Sequence, residues 1–595
     1  FTNDGDSEIN ISQGAVSLGN ITNDGNLNIT TNAKNGQKSV INGNITNNKG
    51  ALNITNNGND TEIQIGGNIS QKEGNLTISS DKINITNQIT IKKGVNKEGS
   101  DSSTANNANL TIKTKELQLT GDLNISGFDK AEITAKEGAD LIIGNSDNNN
   151  NANAKTVTFN NVKDSKISAN GHNVTLNSKV ETSDGNSNTE GNSDNNAGLT
   201  IDAKNVTVNN DITSHKTVNI TASERIDTKA DTTINATTGN VKLTAVTSDI
   251  QGGIKSNSGD VNITTSTGSI NGKIESKSGS VTLTATEKTL TVGNVSGNTV
   301  TVTANRGALT TLAGSTINGT NGVTTSSQSG EIGGEVTGKT VSVTATAGSL
   351  TVKGGAKINA TEGTATLTAS SGKLTTEASS NITSAKGQVD LSAQDGSIAG
   401  QISAANVTLN TTGTLTTVEG SSINANEGTL VINANDAKLD GKASGNRTEV
   451  NATNASGSGS VTAKTSSSVN ITGDLNTING LNIISENGRN TVRLRGKEIE
   501  VKYIQPGVAS VEEVIEAKRV LEKVKDLSDE ERETLAKLGV SAVRFIEPNN
   551  TITVNTQNEF TTRPSSQVTI SEGKACFSSG NGAAVCTNVA DDGQQ

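Results

Sequence analysis

The chain has 595 residues, a formal net charge of −11, 30% apolar and 1% aromatic residues, and neither Trp nor Met. That is too little apolar material to fill the several globular cores such a length ordinarily holds. The charge is diffuse, with no basic stripe to neutralise phosphates, so no nucleic-acid partner is expected, and no apolar run approaches the length that spans a bilayer.

Composition of this kind reads as disorder unless the apolar residues recur in a pattern, and here they do. The chain starts at Phe1 with no signal peptide, as expected of the C-terminal part of a longer precursor. Up to about residue 90 the phrases GNITNDGNLNIT, GNITNNKGALNIT and GNISQKEGNLTIS repeat, placing Ile21, Ile45 and Ile69 at intervals of 24. Apolar residues alternate with Asn, Thr or Lys inside each phrase, the period of a half-buried strand. Around residues 144–154 and 183–198 the periodicity lapses into Asn/Ser/Gly-rich low complexity, read as loops leaving the stack.

Between Thr233 and Ala285 the repeat is tightest. Ile234, Ile254 and Ile274 head three copies; Gly239, Gly259 and Gly279 follow, then Val241, Val261 and Val281, then Leu243, Ile263 and Leu283, each set spaced by 20. Strand, Gly turn, strand, with no helix between, predicts an all-β fold of the parallel β-solenoid type, its narrow column filled by small branched residues and each rung covered by its neighbours. The same phrase continues at Ile317, Ile358, Ile382 and Ile423, spaced 41, 24 and 41, so intervening rungs are expected. A second motif marks a corner: Ile250-Gln-Gly-Gly-Ile254, Ile270-Asn-Gly-Lys-Ile274, Ile332-Gly-Gly-Glu-Val336 and Ile398-Ala-Gly-Gln-Ile402. Stacked rungs over about 500 residues predict a long rod.

The pattern ends near residue 505 at Gln505-Pro506-Gly507. Ser510-Val-Glu-Glu513 and Ser528-Asp-Glu-Glu531 have the form of capping boxes, and Val511, Val514, Ile515, Leu521, Val524 and Leu527 keep helical spacing. Two short helices are expected here, closing the open end of the stack, with SAVRFIEP and TITVN as strands after them. The polar tail from about residue 556 carries both cysteines, Cys576 and Cys586. Nine residues between two Cys suit a small disulfide better than a metal site, and two free thiols are the other reading. The expected organisation is 1–504 repeats, 505–555 helical cap with short strands, and 556–595 a C-terminal tether.

No catalytic constellation stands out. Tyr503 is the single tyrosine, so aromatic sugar platforms are scarce, and the two histidines, His172 and His215, lack a Cys, Asp or Glu at metal-ligand spacing. No nucleotide, zinc-protease or calcium-loop motif occurs. A non-enzyme without cofactor or metal is expected. Asn-x-Ser/Thr triplets recur, including Asn10, Asn20, Asn28, Asn44, Asn53, Asn68, Asn75, Asn84, Asn124, Asn219, Asn262, Asn381, Asn446, Asn451, Asn454 and Asn470. Each is a formal glycan acceptor, although a chain so rich in Asn, Ser and Thr yields many by composition alone.

The GNIT/NITN repeats, the segment VEEVIEAKRVLEKVKDLSDEERETLAKLGVSAVRFIEPNN and the ending KACFSSGNGAAVCTNVADDGQQ together resemble the high-molecular-weight adhesins of non-typeable Haemophilus, exoproteins of the two-partner secretion pathway. The repeats alone are shared by many filamentous-haemagglutinin-like proteins; the later two segments are the more specific. The resemblance covers essentially the whole chain as a C-terminal portion, without the family's N-terminal secretion domain. It implies a right-handed parallel β-helix at the bacterial surface, associated with the outer membrane and partly released to the medium, which attaches to host epithelial cells through their glycans. It further implies an outer-membrane β-barrel translocator as partner, with Cys576 and Cys586 forming a disulfide loop that retains the chain there. A cytoplasmic hexose-transferring N-glycosyltransferase acting on the Asn positions above is implied as well. Three other functions fit such a fold: a β-helical polysaccharide-degrading enzyme, an ice-binding solenoid with Thr ladders, and the stalk of a contact-delivered toxin.

Overall fold

In each central repeat the inward residues are branched and aliphatic and the outward ones polar, so the strands can bury one face only by stacking on copies of themselves. The computed structural model describes residues 1–11, 16–94, 108–146, 154–184 and 198–473 in full, and after these the backbone of the strands from Asn482–Ser485 to Val585–Asn588. The helical segment expected at 505–540 lies outside the described residues, as do 147–153 and 185–197 of the two expected insertions.

Two compact units divide the chain, one of residues 1–307 with 317–319 and one of 308–316 with 320–595. The first is a parallel β-solenoid. Strands Gly253–Ser256, Val261–Thr265 and Thr267–Ile270 make up one rung, and each pairs in parallel with its counterpart in the rungs on either side. The repeat therefore holds three strands, one more than the strand–turn–strand reading of the sequence. The third strand was hidden because its inward positions are taken by Ser248 and Gly268 before Ile250 and Ile270 restore the apolar signal.

Register confirms the repeat. Ile234, Ile254 and Ile274 stack as direct partners, as do Val241, Val261 and Val281, and Leu243, Ile263 and Leu283. All nine are fully buried. An isoleucine-sized side chain taken from water contributes about 1.5–3 kcal/mol, so a modest apolar content suffices when nearly all of it faces inward. In the corner motif, a Cβ on Gly272 would collide with the carbonyl oxygen of Gly252 one rung away, so glycine is required by stacking.

Corners bury backbone groups, and small polar side chains satisfy them. Ser256 donates to Gly239 O at 2.7 Å and accepts from Gly259 N at 2.9 Å; Ser276 repeats both bonds a rung later at 2.6 and 2.9 Å. In the early rungs the device is an amide ladder. Asn3, Asn23 and Asn47 each donate to the side-chain oxygen of the next, ending on Gln71, every step 3.0 Å. Asn23, Asn47 and Gln71 are fully buried.

Rung length varies. Leu76 stacks directly on Leu110, a 34-residue rung whose extra length the sequence reading did not assign to an insertion. Residues 95–107 of that rung lie outside the described residues.

The second unit is also a parallel β-solenoid in its repeat region. Val336, Ile358, Ile382, Ile402 and Ile423 stack in order, so Ile402 of the corner motif supplies the rung between Ile382 and Ile423, and Val336 the one that precedes Ile358. Several strands here run through the bends without a break, such as Asn381–Ile398 and Ser422–Leu439, with register shifts marking the corners. Parallel stacking continues to Arg489–Leu494, on which Lys497–Ile504 folds back antiparallel. Ser541–Glu547, Asn550–Asn555 and Phe560–Arg563 follow as further strands. Ser566–Ser571, Lys574–Ser579 and Val585–Asn588 form a separate antiparallel sheet.

Candidate functional site

Each of the sixteen candidate glycan acceptors occupies an outward or corner position in the solenoid, exposed (as at Asn20, Asn44, Asn68, Asn75 and Asn262) or half-buried (as at Asn84, Asn124 and Asn219). The fully buried ladder residues Asn23 and Asn47 are not in acceptor triplets. The outward residues also have structural duties. Oδ1 of Asn20, Asn44 and Asn68 accepts the backbone N–H of Asn44, Asn68 and Thr90 respectively, each at 2.8 Å, pinning one rung to the next. At Asn53 and Asn451 the amide nitrogen is itself engaged, donating to Asn28 and Asn433, both at 2.8 Å.

Cys576 and Cys586 are direct register partners in the antiparallel pair of Lys574–Ser579 with Val585–Asn588. Directly opposed residues of such a ladder have Cα atoms about 4.5–5.5 Å apart, within the span a disulfide bridges.

The histidines gain neighbours that sequence spacing did not reveal. Asp184 Oδ2 lies 3.2 Å from His215 Nε2, and Asp140 Oδ1 lies 3.7 Å from His172 Nδ1. Both imidazoles are partly exposed, and among the described residues no three His, Cys, Asp or Glu side chains converge as metal ligands do.

Two ion-pair clusters stand out. Asp81, its side chain 8% exposed, faces Lys136 at 3.0 Å and Lys115 at 3.5 Å and accepts the backbone N–H of Asp60 at 2.7 Å. Burial pushes its carboxyl up, but the Asp60 N–H and the two ammonium groups outweigh that and hold it below the usual aspartate value. In the second cluster Arg225 bonds Asp227 at 2.7 Å and Asp249 at 3.4 Å. The bond to Asp227 raises the guanidinium further above its ordinary value, so it is a fixed cation.

Arg225 lines the larger of two grooves described in the first unit, of about 670 Å³. Its floor is two ranks of outward residues on successive rungs. Asn173, Asn205, Arg225 and Thr247 form one rank, and Thr175, Thr207 and Asp227 the other, with Asp249 next in that rank beyond the lining. Unequal corners create the hollow. From Ala169 to Asn173 the corner is Asn170-Gly171-His172; one rung on it is Lys204 alone, then Ser223-Glu224, then Val246 alone. Glu224 and the 49% exposed Val246 line the groove at this corner. The other groove, about 460 Å³, lies on a different column of stacked strands and includes Asp122, Thr158 and Glu181.

Compared with protein-family models, curated proteins and solved structures, the chain matches none.

Proposed function

We propose that this chain is the surface-exposed part of a bacterial adhesin exported by two-partner secretion, a member of the high-molecular-weight adhesin class that its sequence resembles. It attaches the cell to host epithelium through host glycans and acts by binding, without catalysis. Its C-terminal end is held at the outer-membrane β-barrel that exports it, and a cytoplasmic N-glycosyltransferase adds hexoses to outward Asn residues such as Asn44 and Asn68.

One observation supports the retention device most directly: the only two cysteines of the chain are cross-strand partners near its end. A disulfide there closes a loop too wide to follow the rest of the chain through the exporter as a single extended strand, so the end lodges where the rest has passed. The solenoid supports the display role, since stacking leaves ranks of Asn, Thr and Ser on its outward surface.

The experiment is the double substitution Cys576→Ser and Cys586→Ser in cells that carry the exporter. Release of the protein to the medium with the solenoid's circular dichroism unchanged is the expected result; full surface retention of the double variant overturns the anchoring role.

A further inference from the structure

An Asn followed by Gly is exposed to attack by its own backbone, because glycine carries no side chain to shield its N–H or to restrict its φ and ψ. Seven such steps lie among the described residues, and the solenoid holds them differently. We infer that Asn35 and Asn170 are sites of spontaneous covalent modification, each converting on the folded chain to aspartate and isoaspartate through a cyclic imide. Stacking protects the other five.

The reaction needs only water. Solvent hydroxide takes the proton of the glycine N–H, and that nitrogen attacks Cγ of the preceding Asn. A new C–N bond closes the imide ring, the side-chain amide C–N bond breaks, and the departing nitrogen takes a proton from water and leaves as ammonia. Water then adds to one or the other carbonyl of the ring. Opening at one side gives aspartate, and opening at the other gives isoaspartate, in which the chain runs through the side-chain carboxyl.

Geometry decides which steps react. The glycine nitrogen has to swing toward Cγ, so the peptide needs room to rotate and its N–H has to be uncommitted. Asn35 and Gly36 sit exposed at the tip of a turn that Gln37 closes, its N–H donating to Lys34 O at 2.8 Å and its Oε1 accepting Lys34 N–H at 3.2 Å. Gly36 has φ +77°, a Cβ there would meet nothing within 4 Å, and among the described residues its N–H has no partner. Asn170 and Gly171 are exposed in the three-residue corner Asn170-Gly171-His172, which has no register partner in the rungs on either side. Gly171 has φ +70° and the same open surroundings.

Elsewhere the step is wedged between rungs. A Cβ on Gly43, Gly58 or Gly272 would collide with the backbone of Asn20, Ala33 or Gly252 one rung away, so the peptides after Asn42, Asn57 and Asn271 have no room to turn. Gly272 N–H is also committed to Ile250 O at 3.0 Å, and Gly43 N–H to Leu18 O at 3.4 Å. Asn318 and Asn321 lie inside the extended strand Thr316–Ile332. Rotation at any of these positions requires a rung to open first, which the stacked neighbours resist.

Each conversion replaces a neutral amide by a carboxylate and adds one negative charge. At Asn35 it arises between Lys34 and Lys38, and at Asn170 two residues from His172. The extra backbone methylene of isoaspartate falls outside the stack at both places, so the rungs stay paired. The modified fraction then counts the time since the chain folded.

The test incubates the full chain at body temperature in mildly alkaline buffer for several weeks, with a parallel sample unfolded in urea. Peptide mapping by mass spectrometry, after digestion at acid pH, follows replacement of the amide by a carboxyl at each Asn-Gly step, and circular dichroism verifies that the first sample stays folded. In the folded chain Asn35 and Asn170 should convert at least five-fold faster than Asn42, Asn57, Asn271, Asn318 and Asn321, and in urea all seven should agree within two-fold. The double variant Asn35→Gln and Asn170→Gln should remove the accompanying acidic shift on isoelectric focusing. Equal rates at all seven steps of the folded chain, or Asn35 or Asn170 lagging with the stacked steps, overturns the assignment.

Discussion

Removing one amide from the buried ladder should loosen a few rungs and no others. Asn47 accepts from Asn23 Nδ2 at 3.0 Å and donates to Gln71 Oε1 at 3.0 Å and to Gly50 O at 3.2 Å. In Asn47→Ala, Asn23 keeps its bond to Gly25 O at 2.8 Å, and Gly50 O keeps the Gln71 Nε2 donor at 2.6 Å. Gln71 Oε1 is left buried and without its donor, and Asn23 loses an acceptor. At about 1–3 kcal/mol for an orphaned buried group and about 1 kcal/mol for a lost bond, the cost is about 2–4 kcal/mol. Because each rung touches only its neighbours, that energy is lost locally. Hydrogen exchange is the suitable assay: amides of Ile21–Asn23, Ile45–Asn47 and Ile69–Gln71 should exchange roughly 30- to 700-fold faster, at about 1.4 kcal/mol per decade. Amides of Val261–Thr265 and Val281–Ala285 should not change. Acceleration below about five-fold, or acceleration spread evenly along the first unit, would refute the reasoning.

Gly272→Ala should destabilise its rung by about 1–3 kcal/mol or more, the usual cost of overpacking, because the new methyl meets the backbone of Gly252 and no flexible side chain can yield. Urea unfolding followed at the central rungs checks it, and a shift under about 0.5 kcal/mol, within the range of an ordinary surface substitution, would contradict it. The Asp81 carboxyl is held below its unfolded value, so its stabilising effect is fully present above about pH 4 and is lost as pH falls through the lower folded value. Acid titration of the wild type against Asp81→Asn should therefore show the two melting temperatures converging below about pH 4, with the wild type higher at about pH 7; a gap independent of pH would sink the assignment.

The sequence made the solenoid legible because its inward residues announce themselves. Ile254 and Ile274, Val261 and Val281, and Ile263 and Leu283 recur at intervals of 20 and stack in that register. The third strand of each rung escaped because Ser248 and Gly268 occupy inward positions and blur the alternation. Relations across rungs were illegible for a different reason. His215 and Asp184 are 31 residues apart, and nothing local signals that stacking brings them to 3.2 Å. The groove depends on differences of one or two residues between successive corners, which mean nothing until Ser168, Asp202, Thr221 and Thr244 are known to align. Thr175 and Thr207 look like ordinary strand threonines, and only register shows them in one rank with Asp227.

Attachment itself is the most direct test of function. Beads coated with the full chain are applied to cultured epithelial cells whose surface glycans are intact or enzymatically removed. A glycan-reading adhesin predicts attachment well above that of uncoated beads, lost when the glycans are removed and competed by free oligosaccharides released from the same cells. Attachment equal to the uncoated control, or attachment indifferent to glycan removal, would contradict it.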